Sequence, residues 1–202
     1  MTPGPDTLVP TLRERLPGRP RRALGRPQRA AVLVPIVDDG QGLRLLLTRR
    51  TEDLPTHAGQ VAFPGGLVEP GEDDPKGTAL REAEEEIGLP REAAEILGLL
   101  DDFPTRTDTI AVTPVVGVLR RLPPLRAREA EVARIFTIPV HDLTQADRWT
   151  SREEVRGARR LWVYYFLHEG ETLWGLSARI VLHLLEVGGL GGPLPPRPPE
   201  YR

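Results

Sequence analysis

The sequence predicts an α+β protein in which a mixed β-sheet is flanked by helices. Three observations predict it. Apolar runs of strand length, rich in Val, Ile and Leu, recur along the chain; only two long segments carry helical periodicity; and the two kinds do not alternate as a doubly wound parallel sheet requires. Ala31–Val37 and Leu43–Thr48 read as strands joined by the turn-rich Asp38-Asp39-Gly40-Gln41-Gly42. Gly77–Ile87 reads as a helix closed by Gly88 at the C′ position. Ile96–Leu100, Ile110–Leu119, Val132–Ile138 and Arg160–Leu167 read as further strands, and Pro114 places its strand at an edge or a bulge. Ser177–Val187 is an amphipathic helix closed by Gly188-Gly189, with Ser177 expected as its cap. No internal repeat is visible.

The ends differ in composition from this middle. The first 29 residues carry seven Arg and several Pro; they read as a short helix around Leu8–Leu16 within an arm laid over the domain, a solvated leader rather than a functional basic patch. Gly188–Arg202 holds four Gly and five Pro in 15 residues, too little apolar surface to dock, and reads as a loose tail. The expected organisation is therefore an arm (1–29), one domain (30–187) and a flexible tail (188–202).

Composition removes several functions. Twenty-seven basic and 29 acidic residues leave a formal charge of −2, which argues against general nucleic-acid binding or a polybasic membrane anchor. The absence of Cys excludes disulfides, thiolate metal sites and a Cys nucleophile, and fits a reducing, cytoplasmic setting. No apolar run has the length of a membrane span, and the N-terminus lacks a signal-peptide core. Ser151 and Ser177 are the only serines, and neither sits in a Gly-x-Ser-x-Gly elbow. The run Gly71–Thr78 has Lys76 and Gly77 in the wrong order for a phosphate loop.

One segment concentrates the chemistry. Residues 69–86 include eight acidic and two basic side chains. On a helix, Glu82, Glu85 and Glu86 fall at about 0°, 300° and 40°, sharing one face, while Glu84 points away. With no Lys or Arg interleaved on that face, three such carboxylates repel one another unless a cation sits among them. All-oxygen ligands select Mg²⁺ or Mn²⁺, and an ion held by few protein oxygens keeps positions open for water and substrate phosphates, an arrangement suited to displacement at phosphorus. The glycine-rich loop Gly65–Gly71 allows close approach of backbone to a ligand, and Glu72 within it can fold back toward the helix.

The segment resembles the Nudix box, Gly-x5-Glu-x7-Arg-Glu-U-x-Glu-Glu-x-Gly-U, where U is a bulky aliphatic residue. Gly66, Glu72, Arg81, Glu82, Glu85, Glu86, Gly88 and Leu89 match; eight residues rather than seven separate Glu72 from Arg81, and Ala83 stands where the first U belongs. Upstream, Leu46-Leu47-Thr48-Arg49-Arg50 followed by His57-Ala58-Gly59-Gln60-Val61-Ala62-Phe63-Pro64-Gly65-Gly66 is similar to the signature of coenzyme A pyrophosphatases, although Thr51 and Pro55 depart from it. Asp101, Asp102, Thr105 and the segments Val112–Gly117 and Trp174–Arg179 extend the likeness to roughly residues 30–187.

The resemblance implies a Nudix fold, a mixed β-sheet flanked by helices with a loop-helix-loop catalytic motif. It also implies Mg²⁺- or Mn²⁺-dependent hydrolysis of a diphosphate; for coenzyme A the products are 4′-phosphopantetheine and adenosine 3′,5′-bisphosphate. Glu82, Glu85 and Glu86 are the expected metal ligands, Glu86 shared between ions. Glu72 is a further ligand or the base that deprotonates water, and Arg81 braces the acidic loop. Arg49 or Arg50 is expected to meet a substrate phosphate, and His57, Gln60, Gly65 and Gly66 to line the substrate site. Trp174 is expected to pack rather than stack on adenine. Other readings stay open: ADP-ribose, NADH or a dinucleoside polyphosphate as substrate, a nucleotide-binding regulator without catalysis, and a homodimer or a monomer.

Overall fold

The computed structural model describes residues 4–156 and 159–191. The chain forms α1 (Leu8–Arg15), β1 (Gln28–Val37), β2 (Arg44–Arg50), β3 (Val61–Ala62), β4 (Gly65–Leu67), α2 (Pro75–Ile87), β5 (Glu95–Leu99), β6 (Phe103–Pro104) and β7 (Ile110–Leu119). There follow β8 (Val132–Pro139), the single turn α3 (Val140–Leu143), β9 (Trp149–Arg156), β10 (Arg159–His168), β11 (Glu171–Trp174) and α4 (Gly175–Val187).

The larger sheet runs β3-β2-β1-β7-β5, with β8 on β2, β4 on β1 and β6 on β7. β1 and β7 are parallel over ten residue pairs, from Gln28–Ile110 to Val37–Leu119, and the other pairings are antiparallel, so the sheet is mixed. β9, β10 and β11 form a second, antiparallel sheet. Strand alternation divides the apolar side chains between two cores. Ala31, Leu33, Val37 and Leu46 meet Ala79, Ala83 and Ile87 of α2, while Val34, Ile36, Leu45 and Leu47 meet α1, α4 and the second sheet. Burial on both faces explains why β1 reads as an almost unbroken apolar run.

α2 starts and stops where local chemistry dictates. The Asp74 side chain accepts a bond from the Lys76 N–H, Pro75 occupies the first turn, and Gly88 takes the left-handed conformation (φ 66°) that closes the helix. Ala83, wholly buried against the sheet, explains why a small residue stands where the box resemblance has a bulky one. Among the described residues no helix is long and apolar enough to cross a membrane.

Several expectations are corrected. Pro114 lies in an interior strand, between β1 and the β5/β6 side. Its carbonyl accepts from Leu100 N–H, so its nitrogen faces the break between β5 and β6, where a missing N–H costs little. Gly65–Leu67 is a strand rather than a loop; it takes the part of the β1 edge that β2 leaves free. β3, β4, β6, β9 and β11 are elements the sequence pattern did not resolve. Ser177 does not cap α4, whose N-cap is Trp174; its hydroxyl donates to Val61 O at 3.0 Å and ties α4 to β3. Trp174 is half-buried and stacks on Tyr165, with ring centroids 6.1 Å apart.

The arm is not a solvated leader. Leu8, Val9, Leu12 and Leu16 are buried in the α4-side core, and the polar stretch beyond them is pinned to the sheet. Arg19 pairs with Asp101 at 2.8 Å and Arg21 with Asp102 at 2.5 Å, while the N–H groups of Arg22 and Leu24 donate to the same two carboxylates. At the other end Leu190 is also buried in this core, so the start of the predicted tail packs; residues 192–202 lie outside the described residues.

Candidate active site

α2 presents its acidic face to β4 and to the end of β2. Glu86 is 5% exposed, and burial pushes its carboxyl up to about 7, against the pull of the Gly65 N–H (3.3 Å) and of Arg50 (Nη1 3.9 Å from Oε1). Glu82 is also raised by burial, although Arg81 pulls it the other way. Glu85 is half-exposed, and Glu84 lies on the far side paired with Arg91 at 2.7 Å. The sharing of one face by Glu82, Glu85 and Glu86 is therefore seen as expected.

The expectation that these carboxylates lack a cationic partner is wrong. Arg81 is their hub: Nε donates to Glu72 Oε1 at 2.9 Å, and Nη1 to Glu82 Oε1 at 2.9 Å and to Glu85 Oε2 at 3.4 Å. Its Nη2 reaches Glu72 Oε2 at 3.2 Å and Leu67 O at 3.3 Å. The brace from Arg81 to Glu72 of the acidic loop is as expected; counting residues along the face misses the bonds to Glu82 and Glu85, because Arg81 precedes Glu82 and curls back over it. Glu72 is tied down completely: besides Arg81, it accepts from the Thr78 hydroxyl (2.8 Å) and the Glu69 N–H (2.9 Å), and Arg81 leads in holding its carboxyl down to about 2.

The two glycines of β4 are packing glycines. A Cβ on Gly66 would overlap the Glu82 carboxylate, and one on Gly65 would overlap Ala31 O and the Val32 backbone. They let β4 lie close beside β1 in the sheet while α2 brings Glu82 down onto it.

Arg49 and Arg50 point to opposite faces of β2. Arg50 turns to α2 and Glu86, and its buried Nε has no hydrogen-bond partner among the described residues. Arg49 turns to the second sheet, donating to Glu52 at 2.5 Å and lying 3.9 Å from Glu171. His57 and Gln60 bond each other at 2.9 Å in loop 51–60, which leaves the end of β2 and returns to it through Arg50 N–H to Gln60 O.

Sequence reasoning missed Glu131. The segment before β8 docks on the C-terminal end of α2, Arg126 N–H donating to Ile87 O and Arg128 N–H to Glu86 O at 2.8 Å. This brings the Glu131 carboxylate close enough to raise both Glu82 and Glu86. No spacing in the chain links residue 131 to the helix; the contact is purely tertiary. Among the described residues, no three acidic or histidine side chains stand convergent enough to hold a metal as they are.

The NUDIX domain family model matches residues 27–165. The chain is 40% identical over 159 residues, 79% of each chain, to the uncharacterized Nudix hydrolase NudL of Yersinia pestis (strain Pestoides F), and equally to NudL of Yersinia pseudotuberculosis serotype O:1b. Among solved structures it is similar to a Nudix hydrolase from M. Smegmatis, RenU (20% identity, TM-score 0.49, 61% of this chain and 76% of that one). A mixed sheet carrying the acidic helix on one face, a family model spanning most of the chain and relatives at this identity make the chain a member of the Nudix family, a hydrolase of nucleoside-diphosphate-linked substrates.

Proposed function

We propose that this enzyme hydrolyses the diphosphate of coenzyme A, giving 4′-phosphopantetheine and adenosine 3′,5′-bisphosphate. The observation that carries the reading is where the segment similar to the coenzyme A pyrophosphatase signature lies. Residues 46–50 and 57–66 fold as β2, the end of loop 51–60, β3 and β4, and three of them stand at the carboxylates: Arg50 lies 3.9 Å from Glu86, the Gly65 N–H donates to Glu86, and Gly66 lies against Glu82.

Nudix hydrolases work with divalent metal ions, and the donor set here fits one. Every candidate ligand is a carboxylate oxygen, and Glu86 is a buried carboxyl which, among the described residues, has Arg50 as its ion-pair partner at 3.9 Å. Glu82, Glu85 and Glu86 would hold Mg²⁺ or Mn²⁺, which when bound supplies Lewis-acid polarisation of the phosphoryl oxygens and activation of water. Arg81 keeps Glu82 and Glu85 aligned. Glu72, whose oxygens are committed to Arg81, Thr78 and Glu69, braces the loop rather than activating water. Arg50 is the cation available to a substrate phosphate, since Arg49 is held between Glu52 and Glu171. Water attacks one phosphorus, the bridging P–O bond breaks, and the bridging oxygen leaves with the other product.

Mass spectrometry of products from coenzyme A, its 3′-dephospho form, ADP-ribose, NADH and a dinucleoside polyphosphate tests this. Coenzyme A should show the highest kcat/KM, and Arg50→Gln should lower that value about ten- to a hundredfold, the worth of one charged hydrogen bond. If ADP-ribose outcompetes coenzyme A in a mixed assay, the substrate reading fails.

A further inference from the structure

Three carboxylates are buried among the described residues: Glu86, Asp102 and Glu171. Glu86 belongs to the acidic face and Asp102 pins the arm. Glu171, the first residue of β11, serves neither. It is 8% exposed, and a carboxylate buried to that degree costs several kcal/mol unless it is well paired.

Its partners give it a task. Arg49 and Arg134 are direct cross-strand neighbours on β2 and β8, beside a register shift between Arg49 and Arg50. Two guanidinium groups in that relation repel. Glu171 lies between them, Oε1 accepting from Arg134 Nη1 at 3.1 Å and Oε2 lying 3.9 Å from Arg49 Nε. Arg134 is held independently as well, by Glu169 at 3.0 Å and over the Phe136 ring at 5.3 Å. Among the described residues the other ion-pair partner of Arg49 is the exposed Glu52 in loop 51–60, and the Glu52 carboxylate in turn packs over Gly59, where a Cβ would stand 2.6 Å from Oε1. Gly59 N–H closes the loop on Thr51 O at 3.1 Å.

We propose that Glu171 is a positioning residue which, acting through Arg49 and Glu52, holds loop 51–60 at the edge of the carboxylate face and thereby sets how tightly substrate binds. The line Glu171–Arg49–Glu52–Gly59 runs from the second sheet, opposite α2, to the loop that carries His57 and Gln60. It also fixes the strand end from which Arg50 reaches Glu86. The proposal rests on the reading of this loop as a substrate wall.

The test uses Glu171→Gln, Arg49→Gln and the double variant, with steady-state kinetics on whichever diphosphate the product panel shows to be cleaved and hydrogen exchange across residues 51–60. Glu171→Gln should raise KM about fivefold or more with kcat within about twofold, and it should speed exchange in the loop; the double variant should be no worse than Arg49→Gln alone. A fall in kcat at unchanged KM, or additive effects of the two substitutions, overturns it. Should Glu171→Gln fail to fold, Glu52→Gln cuts the same line at its exposed end; it should give the same rise in KM and in exchange, and unchanged exchange there overturns the proposal. Hydrogen exchange needs no substrate. A loop loosened in a protein that ignores coenzyme A therefore defeats the substrate reading while leaving Glu171 its role.

Discussion

Glu86→Gln should stabilise the metal-free protein, and by an amount that depends on pH. The carboxyl is held at about 7 in the fold against an ordinary 4.5. Between those two values the native protein holds more protons here than the unfolded chain, so this group makes stability fall as pH rises, and the loss is complete above pH 7. A tenfold change in proton affinity is worth about 1.4 kcal/mol, so the full loss is about 3 kcal/mol. Glutamine stands in for the neutral carboxyl and keeps an acceptor for the Gly65 N–H, and the pull of Arg50 is already contained in the shift, so the expected gain is about 3 kcal/mol at pH 8. Urea unfolding in excess chelator at pH 4, 6 and 8 reads it directly. The variant and wild-type should coincide at pH 4, diverge at pH 6 and differ by the full amount at pH 8. A difference independent of pH, or a variant less stable at pH 8, refutes the view of Glu86 as a desolvated anion awaiting a cation. With Mg²⁺ or Mn²⁺ present the same substitution should lower turnover by orders of magnitude, and full activity in Glu86→Gln sinks the ligand assignment.

Gly66→Ala should leave the fold intact but displace the Glu82 carboxylate it overlaps, lowering turnover about tenfold or more; a circular-dichroism melt beside a kinetic assay separates the two effects. Leu12→Ala, in the wholly buried face of α1, should cost about 2–5 kcal/mol in urea unfolding, whereas a solvated leader predicts no change. Ending the chain after Val187 removes Leu190, 6% exposed in the α4-side core, and should cost about 1–3 kcal/mol, while a chain ending at Gly191 should keep that contact; equal melting temperatures for the two lengths would show that Leu190 contributes nothing.

What the sequence made legible was what rests on short-range periodicity. α2 with its Gly88 stop, β7 from Ile110 to Leu119, and the common face of Glu82, Glu85 and Glu86 all follow from spacing within a few turns of chain. The parts that stayed hidden depend on contacts across long separations. Arg81's bonds to Glu82 and Glu85, beyond its expected brace on the Glu72 loop, require knowing how its side chain folds back, Glu131 arrives from a segment after β7, and the opposite aims of Arg49 and Arg50 emerge only once β2 is placed between two layers. The arm was misjudged for a related reason. Its Arg residues look solvated until Asp101 and Asp102 are brought beneath them by the turn out of β5. Pro114 misled because a rule about strand edges also holds for a break in a neighbouring strand.

α1 and α4 stand near opposite ends of the sequence yet pack together: the Arg15 guanidinium donates to Val187 O at 2.9 Å, and a Cβ on Gly188 would overlap Leu8. During synthesis the apolar side of α1 emerges before both of its partners: β5 follows first, with Glu95 bonding Arg13 and Leu16 lying over Gly98, and the α4 end comes last, 172 residues from Arg15. Closing a loop of that length costs roughly 4–5 kcal/mol of chain entropy, so the seating of α1 against α4 belongs to the last steps of folding. The same proximity makes the molecule a good subject for circular permutation. Joining Gly191 to Gly4 by a short linker and opening the exposed Gly40–Gln41 turn would place the two helices next to each other in the new chain. Such a permutant should keep the fold and reach it faster than the parent in a refolding time course; a slower approach would place the docking of α1 before the rate-limiting step.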